Sequence, residues 1–242
     1  MKICIVVPTH DTWKAHFGFS LAYMMTYFVA QPPSIPSEIT LDVAWSSILP
    51  SSRQDCVNMA LAKKPTHVLW CDSDMKFPHD SLHCLLKHDL PIVAANYITR
   101  RAPNKPVAQD EHGSLITSRH KTGIQEVRRV GLGLCLMKLE VLKAIEPPHF
   151  MFGYTAKKQW LGEDVFFFSR AKEHGYTPVI DHDLSNRVSH IGDFEYDMEC
   201  IPEFVSEDSH SGNGADLNGK GPAARPGVGD VGAGVGRESV RV

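Results

Sequence analysis

The chain has 242 residues, 43% of them hydrophobic, which is enough for one large α/β domain or two small ones and too much for a short peptide-binding module. Its 25 Lys and Arg against 28 Asp and Glu leave a net charge of −3, so no overall basic field exists to hold nucleic acid nonspecifically. Any contact with DNA or RNA would have to be local.

Composition breaks near residue 206. From Ser206 to Val242 the chain carries 9 of its 18 glycines and no aromatic residue, Ile or Met. Such a segment cannot bury enough apolar surface to offset its ordering entropy, so residues 206–242 are predicted to be a disordered Gly-rich tail. The body, residues 1–205, is nearly neutral. It divides at about residue 99 into a first half of regular α/β alternation and a less regular second half.

The first strand is predicted at Lys2 to Pro8, an apolar run too short for a secretory signal and without its cleavage site. A helix follows from Trp13 to Val29, with Phe17, Leu21, Met24 and Phe28 on one face. Its apolar core, Phe17 to Ala30, is shorter than the roughly 20 residues that span a bilayer. Ile39, Leu41, Val43 and Trp45 alternate with other residues in the period of a strand. Ser51 or Ser52 is placed to cap a helix over Arg53 to Lys63, which Pro65 stops. His67 to Cys71 is a continuous apolar run, as in a strand covered on both faces of a mostly parallel sheet. A helix at about Asp80 to His88 and a strand at Pro91 to Ala95 complete the alternation. This order predicts an α/β fold, a doubly wound sheet with helices on both faces and ligands beyond the carboxyl ends of its strands.

Residues 100–130 are polar and basic, with Arg100, Arg101, Lys105, Arg119, His120, Lys121, Arg128 and Arg129, and are predicted as loops with short hairpin strands. The run Gly131 to Met137 leads into a strand, and a short helix to Ile145, a helix from Gly162 to His174 and short strands at Thr177 to Ile180 and Arg187 to His190 follow. The six cysteines form no Cys-x-x-Cys pair and mostly lie in apolar runs, as packed, reduced thiols of a cytoplasmic protein do.

Asp72-Ser73-Asp74, at the end of the 67–71 strand, is the sharpest chemical feature. Two carboxylates one residue apart can share a hard divalent cation such as Mg²⁺ or Mn²⁺. A solvated strand-terminating turn has the same sequence. Gly162-Glu163-Asp164 puts two carboxylates at a helix N-terminus, where exposed N–H groups favour them and simple capping would also place them. His190 precedes Ile191-Gly192; a single histidine is otherwise an ordinary surface or core residue, and His182 is its rival as a ligand. Arg53 opens a helix and is either a phosphate or sugar ligand or a solvated helix arginine. Gly131 and Gly133 allow a backbone to approach a sugar closely, or serve a turn. Trp160 is suited to stacking on an acceptor or to core packing.

Taken together, Arg53-Gln54-Asp55, the run Val68 to Pro78, Val130-Gly131-Leu132-Gly133, Gly162-Glu163-Asp164 and Ser189-His190-Ile191-Gly192 resemble, in order and separation, the GT-A class of glycosyltransferases over residues 2 to 195. The resemblance implies Mn²⁺ or Mg²⁺ on Asp72, Asp74 and His190, and a nucleotide-sugar donor, UDP-linked, held by Pro8, Thr9, His10, Arg53, Asp72 and Ser73. It implies Asp164 as general base for an acceptor hydroxyl in an inverting reaction, Glu163 positioning the acceptor, and Gly131, Gly133 and Trp160 lining the substrate site. Compact bacterial and phage enzymes of this kind work in the cytoplasm, the host's if phage-encoded. The acceptor stays open among glycans, proteins, small molecules and hydroxymethylated DNA, for which the basic stretch 100–129 would supply phosphate contacts. A nucleotidyltransferase on a related sheet and a noncatalytic sugar- or nucleotide-binding module are the alternatives. Against the first, Pro8-Thr9-His10-Asp11 stands where a glycine-rich, lysine-bearing phosphate loop would be.

Overall fold

A computed structural model describes residues 1–33, 37–100, 102–156, 158–192 and 195–201. The expected tail, 206–242, lies outside the described residues. The centre of the fold is a seven-stranded sheet built from β1 (Lys2–Thr9), β2 (Glu38–Trp45), β3 (His67–Cys71), β5 (Ile92–Ala94), β6 (Ile124–Glu126), β7 (Leu134–Lys138) and β10 (Val179–Asp181), in the order β2-β1-β3-β7-β5-β10-β6. β1, β2, β3, β5 and β10 run parallel, and β7 and β6 run against them.

Successive residues of the central strands alternate between two apolar layers. Cys4, Val6, Val68, Trp70, Cys135 and Met137 pack on α2 (Leu49–Lys63), α4 (Leu139–Ala144) and α5 (Glu163–Glu173). Ile3, Ile5, Val7, Leu69, Cys71 and Leu136 pack on α1 (Ala15–Ala30) and α3 (Ser81–Leu86) through Phe17, Leu21, Met24, Phe28, Leu82 and Leu85. This two-sided burial is why the strand sequences are continuous apolar runs. Fully burying each such side chain contributes about 1.5–3 kcal/mol.

The expected helices and strands are present with shifted ends, and the largest shift has a specific cause. α2 begins at Leu49, not Arg53, with Pro50 in its first turn, where a missing N–H costs nothing. Neither serine caps it; the Ser52 hydroxyl donates to the Leu49 carbonyl from inside the helix. The strand that the Gly131 to Met137 run leads into begins at Leu134, so Gly131 and Gly133 precede it as expected. Four short strands escaped the sequence patterns: β4 (Met75–Lys76), β8 (Gly153–Tyr154) and β9 (Trp160–Leu161), which form a hairpin, and β12 (Glu195–Tyr196). β4 pairs with β11 (Ser189–Ile191), which pairs in turn with β12 as a small second sheet.

Candidate active site

The carboxyl ends of β1 and β3 and the start of the antiparallel β7 meet at one edge of the sheet. Asp72 N–H donates to the Gly133 carbonyl at 3.0 Å, so Asp72-Ser73-Asp74 turns directly beside the glycine-containing approach to β7. Met75 then enters β4 opposite His190, and Ile191 N–H donates to the Asp74 carbonyl at 2.7 Å. A two-residue strand thereby carries His190 to a carboxylate 116 positions earlier in the chain.

His190 is held from behind. Its Nδ1 lies 2.9 Å from the Ile98 carbonyl, and its ring meets Tyr97 edge-on at 5.2 Å. With Nδ1–H donating to that carbonyl, Nε2 faces Asp74 Oδ1 at 3.4 Å. A cation shared between that ring nitrogen and the carboxylate would fit this arrangement. A backbone carbonyl behind the distal ring nitrogen is also the usual support of a metal-ligating histidine. Two carboxylates and an imidazole are a suitable donor set for Mn²⁺. Among the described residues, however, no three His, Cys, Asp or Glu side chains form a closed metal-binding cluster. Each aspartate instead faces an arginine.

Arg53 is the inner one. It is almost fully buried on α2, with Nη2 3.2 and 3.3 Å from the two oxygens of Asp72, Nε 3.3 Å from Glu163 Oε1, and its guanidinium 5.9 Å from the centre of the Phe150 ring. The expectation of a solvated helix arginine is thereby excluded. Its buried Nη1 has no hydrogen-bond partner among the described residues. Burial holds the carboxyls of Asp72 and Glu163 above their ordinary values, and Arg53 offsets only part of that rise. Its own guanidinium stays firmly charged: burial opposes the charge, and Asp72 and Glu163 more than restore it. Asp74 differs. Burial raises it, but His190 and then Arg100 outweigh burial and hold it below the usual carboxylate range.

Arg100 is the outer arginine, with Nη1 3.1 Å from Asp74 Oδ2 and 3.4 Å from the Ile191 carbonyl. The sequence showed it only as one cation in a basic stretch. Within that stretch Arg119 pairs with Glu199 at 2.6 Å and Arg129 Nε donates to Gln109 at 2.8 Å, while Arg101 lies outside the described residues.

The remaining expected residues fall into three groups. Thr9 is buried with its hydroxyl 3.4 Å from the Ser73 hydroxyl, whereas His10 is exposed and reaches Asp11 at 3.2 Å; Pro8 precedes them at the end of β1. Glu163 and Asp164 open α5 behind Gly162, with Glu163 buried against Arg53 and Asp164 Oδ1 accepting the Val165 N–H at 2.7 Å. Asp164 also acts electrostatically on Asp72, Arg53 and Tyr97, placing the four in one neighbourhood. Trp160 is 75% exposed and packs edge-on with the exposed Tyr154 at 5.1 Å, so core packing is excluded. His182 lies elsewhere, buried between Ser118 and Gln125, and is no rival to His190.

Gly131 and Gly133 require a correction. A methyl group on them would stand 2.2 Å from the Tyr97 hydroxyl and 2.8 Å from its ring, so the close approach they permit is to Tyr97. Tyr97 is buried and accepts the Gly133 N–H at 3.2 Å, and burial first, then Asp72, raises its hydroxyl well above the ordinary tyrosine value. Nothing in the sequence marks it, because the glycines that admit it lie more than thirty residues away.

No protein-family model matches the chain, and no curated protein matches it. Among solved structures, A197 from STIV superposes with a TM-score of 0.53 at 18% identity, over 80% of this chain and 87% of that one. The catalytic domain of Drosophila beta1,4galactosyltransferase 7 with xylobiose gives 0.47 at 18% identity, over 79% and 71%. A mutant of that enzyme with manganese, UDP-Gal and xylobiose gives 0.47 at 16%, over the same shares. The likeness to A197 is one of fold. The architecture common to the two is mixed α/β, here with a mostly parallel seven-stranded sheet. No helix among the described residues is long and apolar enough to cross a membrane.

Proposed function

We propose that the protein is a metal-dependent glycosyltransferase that moves a sugar from a nucleoside diphosphate donor, UDP-linked, to a hydroxyl acceptor. The observation that carries this reading is the approach of His190 to Asp74 in the turn that Asp72 opens, with His190 braced by the Ile98 carbonyl. Asp74 and His190, with Asp72, would hold Mn²⁺ or Mg²⁺, which when bound neutralises the leaving diphosphate. Thr9 and Ser73, hydroxyl to hydroxyl at the end of β1, are suited to the nucleoside, with Pro8 and His10 beside them. Arg53 keeps Asp72 oriented and offers its free Nη1–H to the donor. Glu163 acts through Arg53, whose second carboxylate partner it is, and not by touching the acceptor.

Asp164, at the start of α5, serves as general base: it accepts the proton of the acceptor hydroxyl as that oxygen attacks the anomeric carbon and the bond to the diphosphate breaks, inverting the centre. The exposed Trp160 and Tyr154 rings give an acceptor an apolar surface on the approach to α5. The acceptor class includes glycans, proteins, small molecules and modified DNA, and a bacterial or phage cytoplasm is the setting the reading implies. The test is Mn²⁺-dependent release of UDP across a donor panel, with and without hydroxymethylated DNA. Asp72→Ala should reduce release at least a hundredfold; full activity in that variant would remove the site assignment. Release of pyrophosphate from a nucleoside triphosphate plus sugar phosphate would favour nucleotidyl transfer instead.

A further inference from the structure

The two arginines on the paired aspartates are built differently. Arg53 sits inside the fold, with 4% of its side chain exposed, fixed by two carboxylates and an aromatic ring. Arg100 has 43% of its side chain exposed and is held on Asp74 by one guanidinium nitrogen, which it shares with the Ile191 carbonyl. Space for its aliphatic stem comes from Gly192, where a methyl group would stand 3.1 Å from Arg100 Cδ. Arg100 therefore occupies the outer oxygen of Asp74 while His190 faces the inner one.

A divalent cation on Asp74 would lie within a few ångströms of this guanidinium, and two positive centres at that distance repel strongly. Arg53 cannot retreat, because leaving would strand Asp72 and Glu163 as buried, unpaired charges. Arg100 can, because its other side is solvent. A turn about its side chain would leave it at the rim of the same site, where a diphosphate brings several anionic oxygens that a guanidinium binds well.

We propose that Arg100 is an exchangeable counter-ion: it neutralises Asp74 before the metal arrives, yields that carboxylate to the metal, and passes to the donor's diphosphate. The inference rests on the metal-dependent reading of the site and adds to it an order of binding, metal before nucleotide, set by one side chain. It also separates two effects that a simple donor-binding arginine would not separate, because Arg100 then opposes metal binding and favours nucleotide binding.

The experiment is a pair of equilibrium titrations on the full chain and on Arg100→Gln, with no turnover involved. Mn²⁺ alone is followed by loss of the free-ion electron paramagnetic resonance signal, and UDP at saturating Mn²⁺ is followed by calorimetry. Arg100→Gln should bind Mn²⁺ about fivefold more tightly at low salt, with the difference fading as salt rises, since an exposed ion pair is worth up to about 1 kcal/mol. The same variant should bind UDP at least fivefold more weakly. Mn²⁺ affinity unchanged or weakened would overturn the counter-ion role, and unchanged UDP affinity would overturn the exchange. If the unaltered protein binds neither Mn²⁺ nor UDP, the metal-dependent reading itself falls, and this inference with it.

Discussion

Tyr97 shows how a buried side chain can shape the residues around it. Its ring fills the space left by Gly131 and Gly133, its hydroxyl accepts the Gly133 N–H, and its face supports His190. Tyr97→Phe leaves that buried N–H without its acceptor, at a cost of about 1–3 kcal/mol. Gly131→Ala drives a methyl group into the hydroxyl, at a similar cost of about 1–3 kcal/mol for overpacking. The two are not independent, because phenylalanine lacks the oxygen that the new methyl group meets first. The double variant should be more stable than the sum of the single changes by about 1 kcal/mol, measured by urea unfolding of all four proteins. Strict additivity would show that the contact does not exist. The carboxylate pairs could be singled out from the sequence because they end or begin recognisable elements, and His190 only through the resemblance that Ser189-His190-Ile191-Gly192 carries. Tyr97 and Arg100 could not, since their importance comes from residues on other elements that only folding brings near.

At the scale of elements, the long apolar strands and the amphipathic helices were legible because two-sided burial and helical periodicity leave strong patterns. The pairs β4 with β11 and β8 with β9 were not, since strands of two or three residues are too short to show a period. The first pair is set by long-range pairing and carries His190 to Asp74, and the second is a local hairpin that brings Trp160 against Tyr154. β10 illustrates a different support. Its last residue, Asp181, is buried yet held below the usual carboxylate range: burial pushes it up, and His88 at 2.8 Å, the Leu184 N–H and Lys87 together prevail. A carboxylate depressed in the folded state contributes stability above its unfolded value of about 3.9 and loses it as pH falls through the lower folded value. Unfolding midpoints in urea should therefore drop between about pH 4 and pH 2, and Asp181→Asn, already weaker at neutral pH, should drop less over that interval. An identical slope in both proteins would assign the acid sensitivity to other carboxylates.

For the molecule as a whole, the division near residue 99 marks a change of sequence pattern and not a structural seam. β7, from the second half, lies between β3 and β5 of the first and pairs with both. Residues 1–99 alone would expose an edge of each strand, together with Leu69, Val93 and their neighbours. That fragment should fail to give a cooperative thermal transition, whereas residues 1–205 should give one like that of the full chain; circular dichroism distinguishes the outcomes. A cooperative transition in residues 1–99 would mean that the inserted strand is dispensable.

The same inserted strand orders events on the ribosome. β3 emerges with one edge paired to β1, and its other partner is more than sixty residues from being made. Asp72 and Asp74 are in the chain early, but their geometry waits for Gly133 to fix the first and for His190 to join the second. The nascent chain thus lacks the second partner of β3 until β7 is made, and the Asp74 contact with His190 waits for β11. Slow translation of residues 72 to 133 would prolong the period in which the central sheet can pair with the wrong neighbour.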